Sequence, residues 1–103
     1  MSMQNKKCVT VLYPNTPGAR FDWDYYLNTH TPKAKAVFGD GFTITKGVAS
    51  LDGKPPAYLC TCVIAIESLE KFSSLMAQHG AAIQSDMSNY TDVTPIIQID
   101  EVL

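Results

Sequence analysis

His30 is the side chain best suited to moving a proton near neutral pH, and its setting is unusual. The stretch "FDWDYYLNTHTP", Phe21 to Pro32, holds four aromatic residues and closes on this histidine, two residues before a proline. Trp23, Tyr26, Leu27 and His30 recur at i, i+3, i+4 and i+7, one face of a helix. Asp22 stands where an N-cap belongs. On that face His30 falls near the predicted helix C-terminus, whose carbonyls favour imidazolium, whereas an apolar pocket favours the neutral ring. Opposed pulls of this kind leave a histidine able to act as a general acid–base. Tyr26, one turn earlier, is placed to hydrogen-bond His30 or a ligand hydroxyl. Tyr25 would line the rim and Trp23 would offer a flat apolar wall. The same spacing also describes a packing helix with His30 as a core histidine capping carbonyls, and spacing alone leaves both readings open.

Other chemistry is sparser. His79 is expected as the last inward residue of a second helix, capping its final carbonyls, while Asp22 and Asp24 favour the N-terminus of the first. Asp86 shortly precedes and Tyr90 lies within a polar segment, "SNYTD", read either as a loop that closes over a cleft and touches a ligand or as plain surface loop. Cys60 and Cys62 point the same way on a strand, about 6.5 Å apart along its axis. The two histidines are remote in sequence, so no closed metal site forms and buried core thiols are expected. Glycine-rich phosphate loops, Ser-His-Asp arrangements and H-E-x-x-H are absent from the sequence.

With 103 residues the chain is read as one domain, residues 1–103. Hydrophobic residues at 46% and charged residues at 17% describe a globular chain. A net charge of −2 with intermixed signs gives no basic stripe, which argues against a nucleic-acid partner. No apolar run reaches the roughly 18 residues of a membrane span, and the leading residues lack a signal-peptide cleavage site. Three cysteines without a framework suggest reduced thiols and a cytoplasmic setting.

Positioning falls to elements legible in pattern. Lys7 to Tyr13 reads as a strand. The first helix should break at Thr31, because Pro32 disfavours a helical conformation before it, and a second short helix should run to Phe38. Strands are expected over Phe42 to Ser50 and Ala57 to Ile66, joined through Asp52-Gly53. Ser68 should cap a helix carrying Leu69, Phe72, Met76 and His79 on one face and stopping at Gly80, with a further helical piece over Ala81 to Met87. Val93 to Glu101 is the last strand, and Pro95 favours an edge position. The order β-α-β-β-α-β predicts an α+β, ferredoxin-like protomer with a four-stranded antiparallel sheet and both helices on one face. The third strand is nevertheless apolar at both parities, unlike a sheet wetted on one side. A second copy would cover the bare face, so a homodimer is expected.

"FDWDYYLNTHTPKAKAVFG" and "SDMSNYTDVTPIIQIDEV", with the hairpin between them, resemble the EthD family, named for ethyl tert-butyl ether degradation. Phe21, Asp22, Tyr25, Tyr26, His30 and Pro32 fill its most specific pattern. The resemblance implies a protomer of the dimeric α/β-barrel superfamily with a cleft between helices and sheet for small apolar or aromatic molecules. It places Tyr26 and His30 facing that cleft, and it carries an oxidoreductase label by association with ether-cleaving monooxygenase systems. Two functions stay open. One is a cofactor-independent catabolic isomerase, lyase or cyclase acting on an apolar or aromatic carbonyl compound. There His30 shuttles a proton and Tyr26 donates to an oxyanion. The other is a non-catalytic carrier of a hydrophobic intermediate. Haem degradation, known elsewhere in the superfamily, has no marked iron ligand here.

Overall fold

A computed structural model describes residues 6–103; the leading residues weighed as a signal peptide lie partly outside the described residues. β1 (Lys7–Pro14), β2 (Phe42–Lys46), β3 (Tyr58–Ile66) and β4 (Ile96–Glu101) form one antiparallel sheet in the order β2-β3-β1-β4. Helix α1 (residues 23–38) joins β1 to β2, and α2 (Leu69–Asp86) joins β3 to β4. This is the α+β, split βαβ arrangement that the element order predicts.

Register decides what faces the helices. Val9 lies opposite Ile64 and Ile99, Val11 opposite Cys62 and Ile97, and Tyr13 opposite Cys60. Alternation puts all of these on one face of the sheet. There Val9, Cys62 and Ile64 pack with Phe38 and Phe72, and Tyr13 and Cys60 pack with Tyr26, Tyr90 and Val93. The opposite face carries Leu12, Val63 and Ile96, the last 50% exposed. β4 pairs with β1 alone, so Pro95 precedes an edge strand, where a missing N–H costs least.

The strands are shorter than the pattern suggests. β2 ends at Lys46 because Gly47 turns the chain so close to β3 that a Cβ there would sit 2.1 Å from the Tyr58 carbonyl oxygen. Thr94 and Pro95 lie before β4.

Both helices run past their predicted stops. Thr31 keeps helical angles (φ −59°, ψ −44°), so α1 is continuous through Pro32. A π-turn over Tyr26–His30 makes this possible, with the Thr31 N–H bonded to the Tyr26 carbonyl. The wider turn relieves the clash between a proline ring and the carbonyl four residues back, which otherwise breaks a helix. The chain then stops at Gly39, whose φ of +94° suits glycine. α2 starts at Ser68, whose hydroxyl accepts from the Lys71 N–H at 3.0 Å. It passes through Gly80 without positive φ and ends at Asp86, so the helical piece expected after Gly80 is its last two turns. Gly80 is small for packing rather than for capping, because a Cβ there would meet Met76 Cε at 3.2 Å.

These longer helices move the predicted faces. His79 is exposed in mid-helix and caps nothing, and Leu69 and Leu27 are also exposed. Phe72, Met76, Gly80, Ile83 and Met87 instead form the stripe that meets the sheet.

Candidate active site

The space between α1, α2 and the sheet is an apolar cavity of about 110 Å³. Phe38, Phe42, Phe72, Met76 and Ile83 wall it, and polar side chains enter at one end, where Tyr13, Tyr26 and His30 meet. Cys62 also reaches the wall. The thiols of Cys60 and Cys62 are free and buried, as expected of core cysteines, and burial pushes the Cys60 thiol up to about 12.

His30 is 7% exposed and lies mid-helix, not at a C-terminus as predicted. The helix dipole therefore does not act on it, and its partner is a carboxylate. Nδ1 lies 3.0 Å from Asp86 Oδ2, and Nε2 lies 3.3 Å from the Tyr90 hydroxyl. The Tyr90 hydroxyl in turn meets the Tyr13 hydroxyl at 2.9 Å. Asp86 is the hub, since its Oδ1 accepts from Tyr25 Oη at 2.6 Å, Asn89 Nδ2 at 3.0 Å and Lys33 Nζ at 3.3 Å.

Electrostatics follow from these contacts. Burial raises the Asp86 carboxyl, but hydrogen bonds from Tyr25, Asn89, His30 and Lys33 outweigh it and hold the group far below the usual carboxylate range. Burial lowers His30 below the ordinary histidine value. The Asp86 hydrogen bond and charge oppose this without overcoming it. The resting pair is therefore a carboxylate and a neutral imidazole at neutral pH, and the anion fixes the tautomer with the proton on Nδ1. Burial pushes the Tyr13 hydroxyl up to about 12 and raises Tyr26 and Tyr90 further, so all three keep their protons at neutral pH.

Local structure fixes these positions. Phe21 and Thr91 form an antiparallel bridge, and the Asp22 N–H donates to the Tyr90 carbonyl at 2.7 Å, pinning the segment after α2 under the start of α1. Asp22 also caps α1 by accepting from the Tyr25 N–H at 3.1 Å, as expected. The π-turn brings Tyr26 and His30 into a stack, with ring centroids 5.8 Å apart and planes 17° apart.

Tyr26 and His30, the two residues predicted to face the cleft, both line the cavity. Tyr26 stacks on His30 instead of bonding it, and its hydroxyl turns to the Tyr13 hydroxyl and the thiols of Cys60 and Cys62. Trp23 is no cavity wall. It packs on Phe21 and lies under Lys46 Nζ, 5.2 Å from its ring centroid. Tyr25 and Asp86 sit behind His30, outside the cavity lining. Asp86 ends a helix and Tyr90 is fully buried, so neither belongs to a surface loop. Tyr13, Lys33 and Asn89 complete the network and were missed. Tyr13 carried a signal, since it shares the parity of Val9 and Val11 on β1. Among the described residues no three His, Cys, Asp or Glu side chains converge as metal ligands would.

The EthD domain family matches residues 18–94, most of the chain and all of α1 and α2. This protein belongs to the EthD family. A crystal structure of an EthD-like protein from Ralstonia eutropha JMP134 is 42% identical, covering 98% of this chain and 95% of that one, with a TM-score of 0.88. An EthD family protein from Bacillus halodurans C-125 is 20% identical over 95% of this chain and 99% of that one, with a TM-score of 0.75. HapK from Hahella chejuensis shares the fold at 20% identity and a TM-score of 0.53, each chain covered to 92%. A search of curated proteins finds no match. Among the described residues of this EthD chain no helix is long and apolar enough to cross a membrane.

Proposed function

We propose that this EthD protein is a small cytoplasmic catabolic enzyme that moves a proton on an apolar or aromatic carbonyl compound without a cofactor. Isomerisation, elimination and cyclisation are the reaction types within its reach, in service of a monooxygenase-type degradation route. The observation that carries this reading is the His30–Asp86 pair at 3.0 Å, with His30 at the polar end of an apolar cavity and Asp86 behind it. A neutral imidazole oriented by a carboxylate is a general base whose protonated form is stabilised as it appears. His30 is the acid–base group and Asp86 positions it. Tyr26 supports the imidazole by stacking, and Tyr13 is the cavity residue whose hydroxyl is linked through Tyr90 to His30. The protein acts as a homodimer that buries Leu12, Val63 and Ile96, and sedimentation should show a species about twice the 11.3 kDa protomer.

One observation favours a second reading, that of a carrier for a hydrophobic intermediate. Both ring nitrogens of His30 already have protein partners, and among the described residues no buried side-chain polar atom lacks one. His30→Gln separates the two readings. It removes the titratable ring and keeps polar contact, so an enzyme loses turnover with binding intact, whereas a carrier keeps its binding and has no turnover to lose. Mass spectrometry of small molecules that co-purify supplies the ligand for both measurements.

A further inference from the structure

The hydrogen-bond chain that runs into the cavity has a direction. Asp86 is a carboxylate and can only accept, so the 3.0 Å contact with His30 requires the proton on Nδ1. Nε2 then carries the lone pair, and across 3.3 Å the Tyr90 hydroxyl must be the donor. With its one proton committed to His30, Tyr90 can only accept at its other contact. The Tyr13 hydroxyl therefore donates to it across 2.9 Å. Each tyrosine has a single O–H, and here both are spent pointing toward His30. Tyr13 lines the cavity and Tyr90 does not, so the chain reaches the cavity at Tyr13, whose proton is committed to Tyr90 and whose oxygen, beside the Tyr26 hydroxyl, keeps acceptor capacity.

We propose that the cavity selects a ligand by a hydroxyl it donates, an enol or a phenol, with Tyr13 as the residue that receives it. This rests on the acid–base reading above and names its substrate class: the enol or phenol tautomer of a carbonyl compound on one ring. A space of about 110 Å³ is of the order that accepts a benzene-sized ring. The proton balance is complete within the chain. The ligand O–H breaks and its proton passes to the Tyr13 oxygen; the Tyr13 proton passes to Tyr90 and the Tyr90 proton to His30 Nε2. The products are a ligand oxyanion and an imidazolium paired with Asp86, both tyrosines being neutral again. Tyr13 touches the substrate, and Tyr90 is a positioning and relay residue.

The test compares phenol with benzaldehyde, similar rings that differ in donating or only accepting, by chemical-shift titration of the whole protein. A neutral hydrogen bond corresponds to about a tenfold preference for phenol. Tyr13→Phe, which keeps the ring, should erase that preference while benzaldehyde binding stays. Tyr90→Phe should weaken it, because the Tyr13 proton is then free to point into the cavity and serve an acceptor. Equal binding of both ligands by the wild type, or a preference that survives Tyr13→Phe, overturns the proposal while leaving the cavity reading intact. Binding of neither ligand defeats the cavity reading as well. His30 nitrogen shifts moving toward imidazolium when a more acidic nitrophenol binds would add the proton transfer itself, and no movement would remove that step.

Discussion

Asp86→Asn changes one charge at the hub and nothing in shape. In the wild type the carboxylate accepts a buried bond from His30 at 3.0 Å and part-buried ones from Tyr25 at 2.6 Å and Asn89 at 3.0 Å, besides one from the exposed Lys33 side chain. A hydrogen bond to a charged group contributes about 1 kcal/mol more than a neutral one, so the three together predict a loss of about 3 kcal/mol at pH 7. The exposed Lys33 bond adds little. The pH dependence is the sharper part. His30 is already held below its unfolded value by burial, with Asp86 pulling it up. A histidine with a lowered folded pKa favours the unfolded state once pH falls below about 6.5. Removing the Asp86 charge deepens that depression, so the gap between variant and wild type should stay level near pH 6.5 and widen once pH falls through the lowered folded value of the wild-type His30. Urea unfolding midpoints at constant slope measure this, and nitrogen shifts of His30 should show the tautomer moving its proton to Nε2. A gap that stays constant with pH would mean the loss comes from packing, and the coupling between the Asp86 charge and the His30 proton would be refuted.

Three further outcomes follow from the same geometry. His30→Gln should remove the loss of stability that the wild type shows on acidification below about pH 6.5, measured by thermal melts across that range. Gly80→Ala should raise stability by up to about 1 kcal/mol through helix propensity. Only the flexible end of Met76 has to yield, yet the cavity both residues line should narrow and bind single-ring ligands more weakly. Ser68→Ala should cost about 1 kcal/mol by leaving the Lys71 N–H without its cap, readable by chemical denaturation.

Much of the architecture was legible because it rests on local rules. Alternation along β1, the caps at Asp22 and Ser68, and the edge position implied by Pro95 all act within a few residues, and each matches the structure. The failures share a different origin. Pro32 and Gly80 are helix breakers on local grounds, but a π-turn accommodates one and a methionine side chain occupies the space beside the other. His30 was singled out from the sequence, yet the cause assigned to its poise was a helix end, whereas the partner is a carboxylate 56 residues away. Tyr13 and Tyr90 meet across 77 residues. Contacts of that span depend on how strands and helices register in space, which residue types alone do not encode.

The wide turn at Tyr26–His30 amounts to one surplus residue threaded into a helix. Excising a residue between Leu27 and Thr29 would restore a regular spiral and swing everything after it by about 100°. Ala34 and Phe38 would leave the cavity wall, and Tyr26 and His30 would lose their parallel stacking. The segment thus behaves as a length gauge: its residue count, more than the identity of Leu27, Asn28 or Thr29, keeps the two halves of α1 addressed to the same hollow.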